Sequence, residues 1–546
     1  MSSPPDLVYT HAVLPLRGWD LPPASCVAIA QGRIVAVGRA EDVVPLAGPK
    51  TQVVSLNGAT LLPGFHDAHC HVLGFGLSLA MVSLADVRAI PDLVRQLQTR
   101  ADEGNADPET WIRGRGYSQN VLAERRHPAR HDLDAVAGGR PFVLITHASG
   151  HAVSVSSRVL QRAGITRETP DPPGGTIVRD ETGEPTGVLL ETAVDLAYRV
   201  APAPTPAEKV AALGAAGRAL NAMGITSAVD ATWGVSAWDS TAEIPFYHEA
   251  ASSGALSVRC SLMMTLAYLA SLDTVPAPGD LTTESEWVRI GPAKIFTDGA
   301  LTTRTAFLRS PFLRSSFNQS DSLGTAVWTA DELDHMVARV HAAGWQVAAH
   351  AIGDAAIDLC LDAYGKALAR HPRADARHRI EHAMLLWPDQ VGRLARLGIL
   401  PIYQPEFLLR FGDAYRAALG DSRAHRLMPY AETQAAGLPL VFSSDLPVVP
   451  GHPLDGVASA AQRRTPSGLA LGADHRVSVA DALRAYTAGA AYSVFLETDR
   501  GRIAPGQRAD FAVLNGDPLA LPPDEWAQGL SVRATVVGGK VVHGGL

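Results

Sequence analysis

Along most of the chain, short apolar runs that close on a polar residue alternate with longer stretches carrying Ala and Leu at helical spacing. Such runs end at His147, Asp230, His350, His382, Gln404 and Asp445, the run 293–296 carries Lys294 within it, and helical periods cover 331–343, 355–369 and 479–494. Strand and helix in alternation predict a parallel sheet. Polar groups at the C-terminal ends of its strands point to an α/β fold of the (β/α)8, TIM-like barrel type. The two ends of the chain read differently. Residues 26–38 are two β-prone runs about a Gly-containing turn, and 509–514 with 532–542 form another such set, with Gly538-Gly539 at a turn. Isolated hairpins are marginal, so the ends are expected to pack together as a small β-sandwich. That assigns 1–58 and 500–546 to the sandwich and 59–499 to the barrel.

Spacing refines this picture. One β/α unit takes about 30 residues, and His350 and His382 stand 32 apart, one unit. His382 and Asp445 are 63 apart, two units, with the run at 401–404 between them. From His71 to Lys294 there are 223 residues, where three units need only about 90 to 100. The surplus implies an inserted subdomain within about 75–220. One strand is also in excess: the run at 258–266 competes with the one ending at His147 for a place in the barrel.

Composition narrows the function classes. The chain has 546 residues, 47% hydrophobic and 19% charged, which suits a globular protein with a large core. A net charge of −8 without a basic stripe argues against a nucleic-acid partner. No apolar stretch is long enough for a membrane span, and the opening residues lack the features of a signal peptide. Four scattered cysteines (Cys26, Cys70, Cys260, Cys360) make no CxxC and no disulfide framework. A cytoplasmic location and a small-molecule substrate are the expectation.

The chemistry concentrates in six positions. His69 and His71 lie two apart in an extended segment, so both imidazoles turn to one face. Read as a barrel, the ends of strands four, five, six and eight add Lys294, His350, His382 and Asp445. Four imidazoles and a carboxylate suit Zn2+, with Mn2+, Fe2+ or Ni2+ as alternatives. Such a metal makes activated water available at neutral pH. A buried lysine loses its proton more easily, and the neutral amine of Lys294 can add carbon dioxide, giving a carbamate able to bridge two metals. On an ideal strand Arg379 and Glu381 face away from His382, and they are expected to pair with each other or with nearby loops.

These residues sit in longer motifs. They are Pro63-Gly64-Phe65-His66-Asp67-Ala68-His69-Cys70-His71, Asp171-Pro172-Pro173-Gly174-Gly175, Gly183-Glu184-Pro185-Thr186-Gly187-Val188-Leu189 and Lys294-Ile295-Phe296-Thr297-Asp298-Gly299. His350-Ala351-Ile352-Gly353-Asp354, Arg379-Ile380-Glu381-His382-Ala383, Ser443-Ser444-Asp445 and 503–511 complete the set. Over essentially its whole length the chain resembles the amidohydrolase superfamily, in the branch that contains N-substituted formamide deformylases. The resemblance implies one or two divalent metals held by His69, His71, His350 and His382, with Lys294 as carbamylated bridge. Asp445 would take the proton from the attacking water. Glu191 could replace or supplement Lys294 as a ligand, and His151 could polarise the substrate carbonyl.

The implied activity is hydrolysis of a C–N bond in an amide-type substrate, an N-substituted formamide or a cyclic amide among them. Alternatives are deamination of a heterocyclic amine, where the nearby acid would be Asp354, and ester or lactone hydrolysis at the same site. A metal-free scaffold is the remaining reading, although this chain keeps every ligand position. The resemblance also implies a homo-oligomer. The stretch from Thr302 to Phe317, with Arg304, Arg309 and Arg314, is a candidate lid.

Overall fold

The structure, a computed structural model, describes residues 4–16, 25–103, 109–231, 240–282, 284–314 and 321–546. The chain separates into two compact units, one comprising 1–73, 213–301 and 306–546, the other 74–212 with 302–305.

The first unit is built on eight parallel strands: β1 (Phe65–Cys70), β2 (Ile225–Asp230), β3 (Arg259–Thr265), β4 (Val288–Phe296), β5 (Val347–Ala351), β6 (Arg379–His382), β7 (Leu400–Tyr403) and β8 (Val441–Phe442). They pair in sequence order from β1 to β8, making a nearly closed sheet of the TIM-like kind. Across the seam between β8 and β1, Asp445 N donates to His69 O at 2.8 Å and His71 N to Leu446 O at 2.7 Å. Helices follow the strands, among them Ala330–Ala342, Asp354–Arg370 and Pro388–Leu397. Thr329 starts the first of these with a capping box, its hydroxyl accepting from Glu332 N while the Glu332 carboxylate accepts from Thr329 N.

The same unit carries two four-stranded sheets. One joins Arg33–Gly38, Cys26–Ala30, Leu7–Thr10 and Gln52–Ser55; the other joins Lys540–Gly544, Val532–Val537, Phe511–Leu514 and Thr60–Pro63. Alternation along these strands turns Val27, Ile29, Leu61, Phe511, Val513, Ala534 and Val536 into one shared buried cluster. Gly538 and Gly539 both have positive φ at the last hairpin turn, as a two-residue connection with the right twist demands.

The second unit holds a mixed six-stranded sheet in the order Gly175–Arg179, Pro185–Glu191, Ala152–Val155, Phe142–His147, Trp111–Tyr117, Val82–Ser83. Phe142 and Leu144 pack on one face with the helix Ser157–Ala163. Val143 and Ile145 pack on the other with Ile90–Glu103. Of the two competing runs, therefore, Arg259–Thr265 is the barrel strand, and the run ending at His147 is central to this other sheet. Among the described residues no helix is long and apolar enough to cross a membrane. All four cysteines are buried and unpaired.

Candidate metal centre

The paired histidines owe their aim to a bulge. Against β2, Ala228 faces Asp67 and Asp230 faces Cys70, so three steps along β1 oppose two on its neighbour. An extra residue of this kind re-aims the side chains that follow it. His69 Nε2 and His71 Nε2 then lie 3.4 and 3.1 Å from Asp445 Oδ1. These three side chains are buried, and one ligand atom from each falls within 4.8 Å of the other two. Lys294 Nζ lies 3.4 Å from His69 Nε2. The His382 ring is centred 5.2 Å from that of His69 and 4.5 Å from that of His350. All six positions inferred from spacing thus gather at the C-terminal ends of the barrel strands.

The other ring nitrogens have partners. His69 Nδ1 meets Glu381 Oε2 at 2.5 Å, His71 Nδ1 meets Ala231 O at 2.5 Å, and His382 Nδ1 meets Gln404 Oε1 at 2.7 Å. Each acceptor can take a hydrogen bond from a proton on Nδ1, the usual support for an imidazole whose Nε2 would bind a metal. Gln404 is in turn held by Ser443 Oγ, which accepts from its amide at 2.9 Å. His350 is oriented through Nε2, 3.1 Å from Gly299 O and 3.5 Å from Asp298 Oδ1.

Backbone strain accompanies the site. His382, Ala383 and Asp445 all have positive φ, at 72°, 42° and 58°, conformations that cost energy for residues with a Cβ and cluster where function requires them. Two carboxylates brace the surrounding loops. Asp67 accepts from Ser444 N at 3.0 Å and from Ser444 Oγ at 2.5 Å, fixing the approach to Asp445. Asp298 accepts from Ile352 N, Gly353 N and Phe307 N at 2.8–3.0 Å, tying the loops after β4 and β5 together.

Electrostatics follow from burial and neighbours. Burial lowers the Lys294 ammonium to about 8, Arg379 adding to the effect while Glu381 and Asp445 oppose it. Among the described residues no carboxylate forms a salt bridge with Lys294. Burial pushes the Asp445 carboxyl up, but the bonds from His69 and His71 outweigh it and hold it well below the usual range. Burial brings His382 down to about 3, so it is neutral at physiological pH. The expected pairing of Arg379 with Glu381 is present, at 2.6 and 2.9 Å. The sequence reading missed where the pair points: inward, onto His69. No local pattern marks that contact, because its partners are 312 residues apart.

His151 and Glu191 belong to the second unit. His151 Nδ1 meets Glu191 Oε2 at 2.7 Å, and Thr305 Oγ1 donates to Glu191 Oε1 at 3.0 Å. Glu191 has a positive φ of 51°. In the candidate lid, Ala306, Leu308 and Phe312 are buried, and Arg309 clamps Asp358 and Asp389 at 2.6 and 2.8 Å. The part at 306–312 is therefore packed down rather than projecting. Phe317 lies outside the described residues. A second histidine and carboxylate group, His425 with Asp474 and His475, is mostly exposed. Arg426 stands 3.5 Å from His475 there, which disfavours a cation.

Residues 52–543 match the amidohydrolase family. The chain belongs to that family. This amidohydrolase is 32% identical over 525 residues, 95% of each chain, to YtcJ of Bacillus subtilis (strain 168), a protein designated as an amidohydrolase. It is 30% identical over 531 residues, 94% of each chain, to the N-substituted formamide deformylase of Arthrobacter pascens. Among solved structures, an uncharacterized metal-dependent hydrolase from Pyrococcus horikoshii superposes with a TM-score of 0.75 at 26% identity, covering 95% of this chain and 99% of that one.

Proposed function

We propose that the protein is a metal-dependent hydrolase that cleaves the C–N bond of an amide-type small molecule, N-substituted formamides and cyclic amides being the first candidates. The observation that carries this reading is the convergence of His69 Nε2, His71 Nε2 and Asp445 Oδ1, with Lys294 Nζ beside them. The names of the relatives from Arthrobacter pascens and Pyrococcus horikoshii support it.

The donor set fits a divalent metal, zinc first and Mn2+, Fe2+ or Ni2+ next: imidazoles with their second nitrogens satisfied, and one ionised carboxylate. His69, His71, His350, His382 and Asp445 would hold it, and Lys294, once carbamylated, would offer two oxygens able to bridge to a second. When bound, the metal would polarise the substrate carbonyl and lower the pKa of a water from 15.7 to about 7. Asp445 takes the proton of the attacking water and passes it to the departing amine, which must be protonated to leave. We assign to His151 the polarisation of the carbonyl oxygen, and to Glu191 the orientation of His151 rather than a metal bond.

Asp354 supports hydrolysis over deamination. Its Oδ1 accepts from Arg309 N and its Oδ2 from Trp387 Nε1, both at 2.8 Å, so both oxygens are spent on bracing loops. We further read the two four-stranded sheets as one β-sandwich; the expected segments 1–58 and 500–546 are joined in it by the strand Thr60–Pro63, and the rest of 59–499 is the hydrolase domain. The test is a metal-loaded hydrolysis screen across formamides, N-acyl amines, cyclic imides and aryl esters, with aminoheterocycles as the contrast. Turnover confined to aminoheterocycles, or to esters, would overturn the assignment. Uptake of isotopically labelled bicarbonate, followed by NMR in wild type and Lys294→Met, tests the carbamate.

A further inference from the structure

The opposite, N-terminal end of the barrel interior collects charge that the metal centre does not use. His66, on β1, is 2% exposed, and neither of its ring nitrogens has a hydrogen-bond partner among the described residues. Arg379 is 0% exposed and is bonded through Nε and Nη2 to Glu381 and Ala68 O, yet its Nη1 has no partner among the described residues. Ala68 lies two residues along β1 from His66, so the Arg379 guanidinium reaches the same stretch of strand. Ser227 is the register partner of His66 on β2, and its Oγ accepts from Arg500 Nη1 at 3.0 Å. Arg289, on β4, donates to Val494 O at 3.5 Å. The charges of Arg500, Arg379 and Arg289 all act on the His66 ring and, after burial, hold it in the neutral form.

The carboxylates nearby are already engaged. Glu381 serves both Arg379 and His69. Asp499 is shared by Arg33, Arg500 and Arg508. Asp510 is taken by Arg259 at 2.9 Å. Glu284 is half-exposed and 3.7 Å from Arg289, beyond hydrogen-bond length. Buried polar groups are almost always satisfied by protein, water or an ion. Here the Arg379 guanidinium and the His66 imidazole each have an N–H without an acceptor among the described residues, with Arg289 and Arg500 nearby.

We propose that this end of the barrel binds one small monovalent anion of halide size, held by Arg379 Nη1 and the His66 N–H in the field of Arg289 and Arg500. An anion satisfies both donors and offsets the positive charge in a region of low dielectric, which a neutral water does not. It would lie behind the Arg379–Glu381–His69 relay and so help to keep Arg379 in place.

The probe is bromide. Crystals of the full chain grown with sodium bromide should show an anomalous peak in contact with Arg379 Nη1 and the His66 ring. In solution, the unfolding midpoint should rise by about 2–4 °C in sodium bromide relative to sodium gluconate at matched ionic strength. His66→Phe, which fills the ring volume without nitrogens, should lose that difference. Density without anomalous signal, or equal midpoints in the two salts, means ordered water only and overturns the proposal, as does an undiminished bromide response in His66→Phe.

Discussion

Glu381 accepts the Nδ1 proton of His69 across 2.5 Å, with both partners fully buried and Arg379 holding the carboxylate from the other side. The relay fixes the tautomer and direction of one imidazole at the metal centre. Glu381→Gln keeps the shape but replaces a charged acceptor with a neutral one. Metal affinity should fall about 10–100-fold, as for other groups that orient a ligand. Metal titration of the stripped protein measures this directly; wild-type affinity in the variant would remove Glu381 from the role.

Asp445→Asn is the sharpest test of proton transfer. The residue sits at φ 58°, a region that Asn tolerates better than most residues, so the variant should fold. Turnover should drop at least about a hundredfold, as when a general base is lost. Retained fold and metal content alongside near-normal turnover would count against the assignment.

Lys294 makes stability depend on pH with a definite sign. Its folded value of about 8 lies below the ordinary value near 10.4. Between these two values the unfolded chain holds the extra proton, so stability rises with pH in that window, and the penalty is fully present below about 8. It amounts to about 3 kcal/mol at one pKa unit per 1.36 kcal/mol. In metal-free buffer depleted of carbon dioxide, Lys294→Met should therefore be more stable than wild type at pH 7, by up to that amount. The advantage should shrink towards pH 10. Denaturant titrations at the two pH values report the difference, and a constant gap would contradict it. The same variant should be inactive.

Gly353 closes the short loop that Asp298 ties down, directly before the helix Asp354–Arg370. A Cβ at this position would collide with the backbone of Phe307, which a flexible side chain cannot relieve. Gly353→Ala should lower the thermal midpoint by several degrees, an overpacking cost of about 1–3 kcal/mol. It should also depress activity by shifting His350, whose Nε2 faces Asp298 and Gly299. An unchanged melting curve would mean that the loop adjusts freely.

The barrel was legible because its period is written in the chain. Apolar runs close on His350, His382 and Asp445 at one- and two-unit intervals, and a titratable residue at a strand's C-terminal end faces the mouth wherever a closed parallel sheet forms. The six-stranded sheet of the other unit was not legible to the same degree. Phe142–His147 is buried along its whole length, as Arg259–Thr265 is. A run covered on both faces has no polar alternation to distinguish one sheet from another.

The sequence by itself determined the kinds of groups available: four imidazoles, an amine and a carboxylate, each placed by local periodicity at the end of a strand. Tertiary structure alone decided what stands behind them. The bulge that aims His69 and His71 depends on pairing with β2. The acceptors Glu381, Ala231 and Gln404 come from distant segments, and the three arginines about His66 come from three. Hydrogen bonds and fields act through space, so contacts between residues hundreds of positions apart leave no period along the chain.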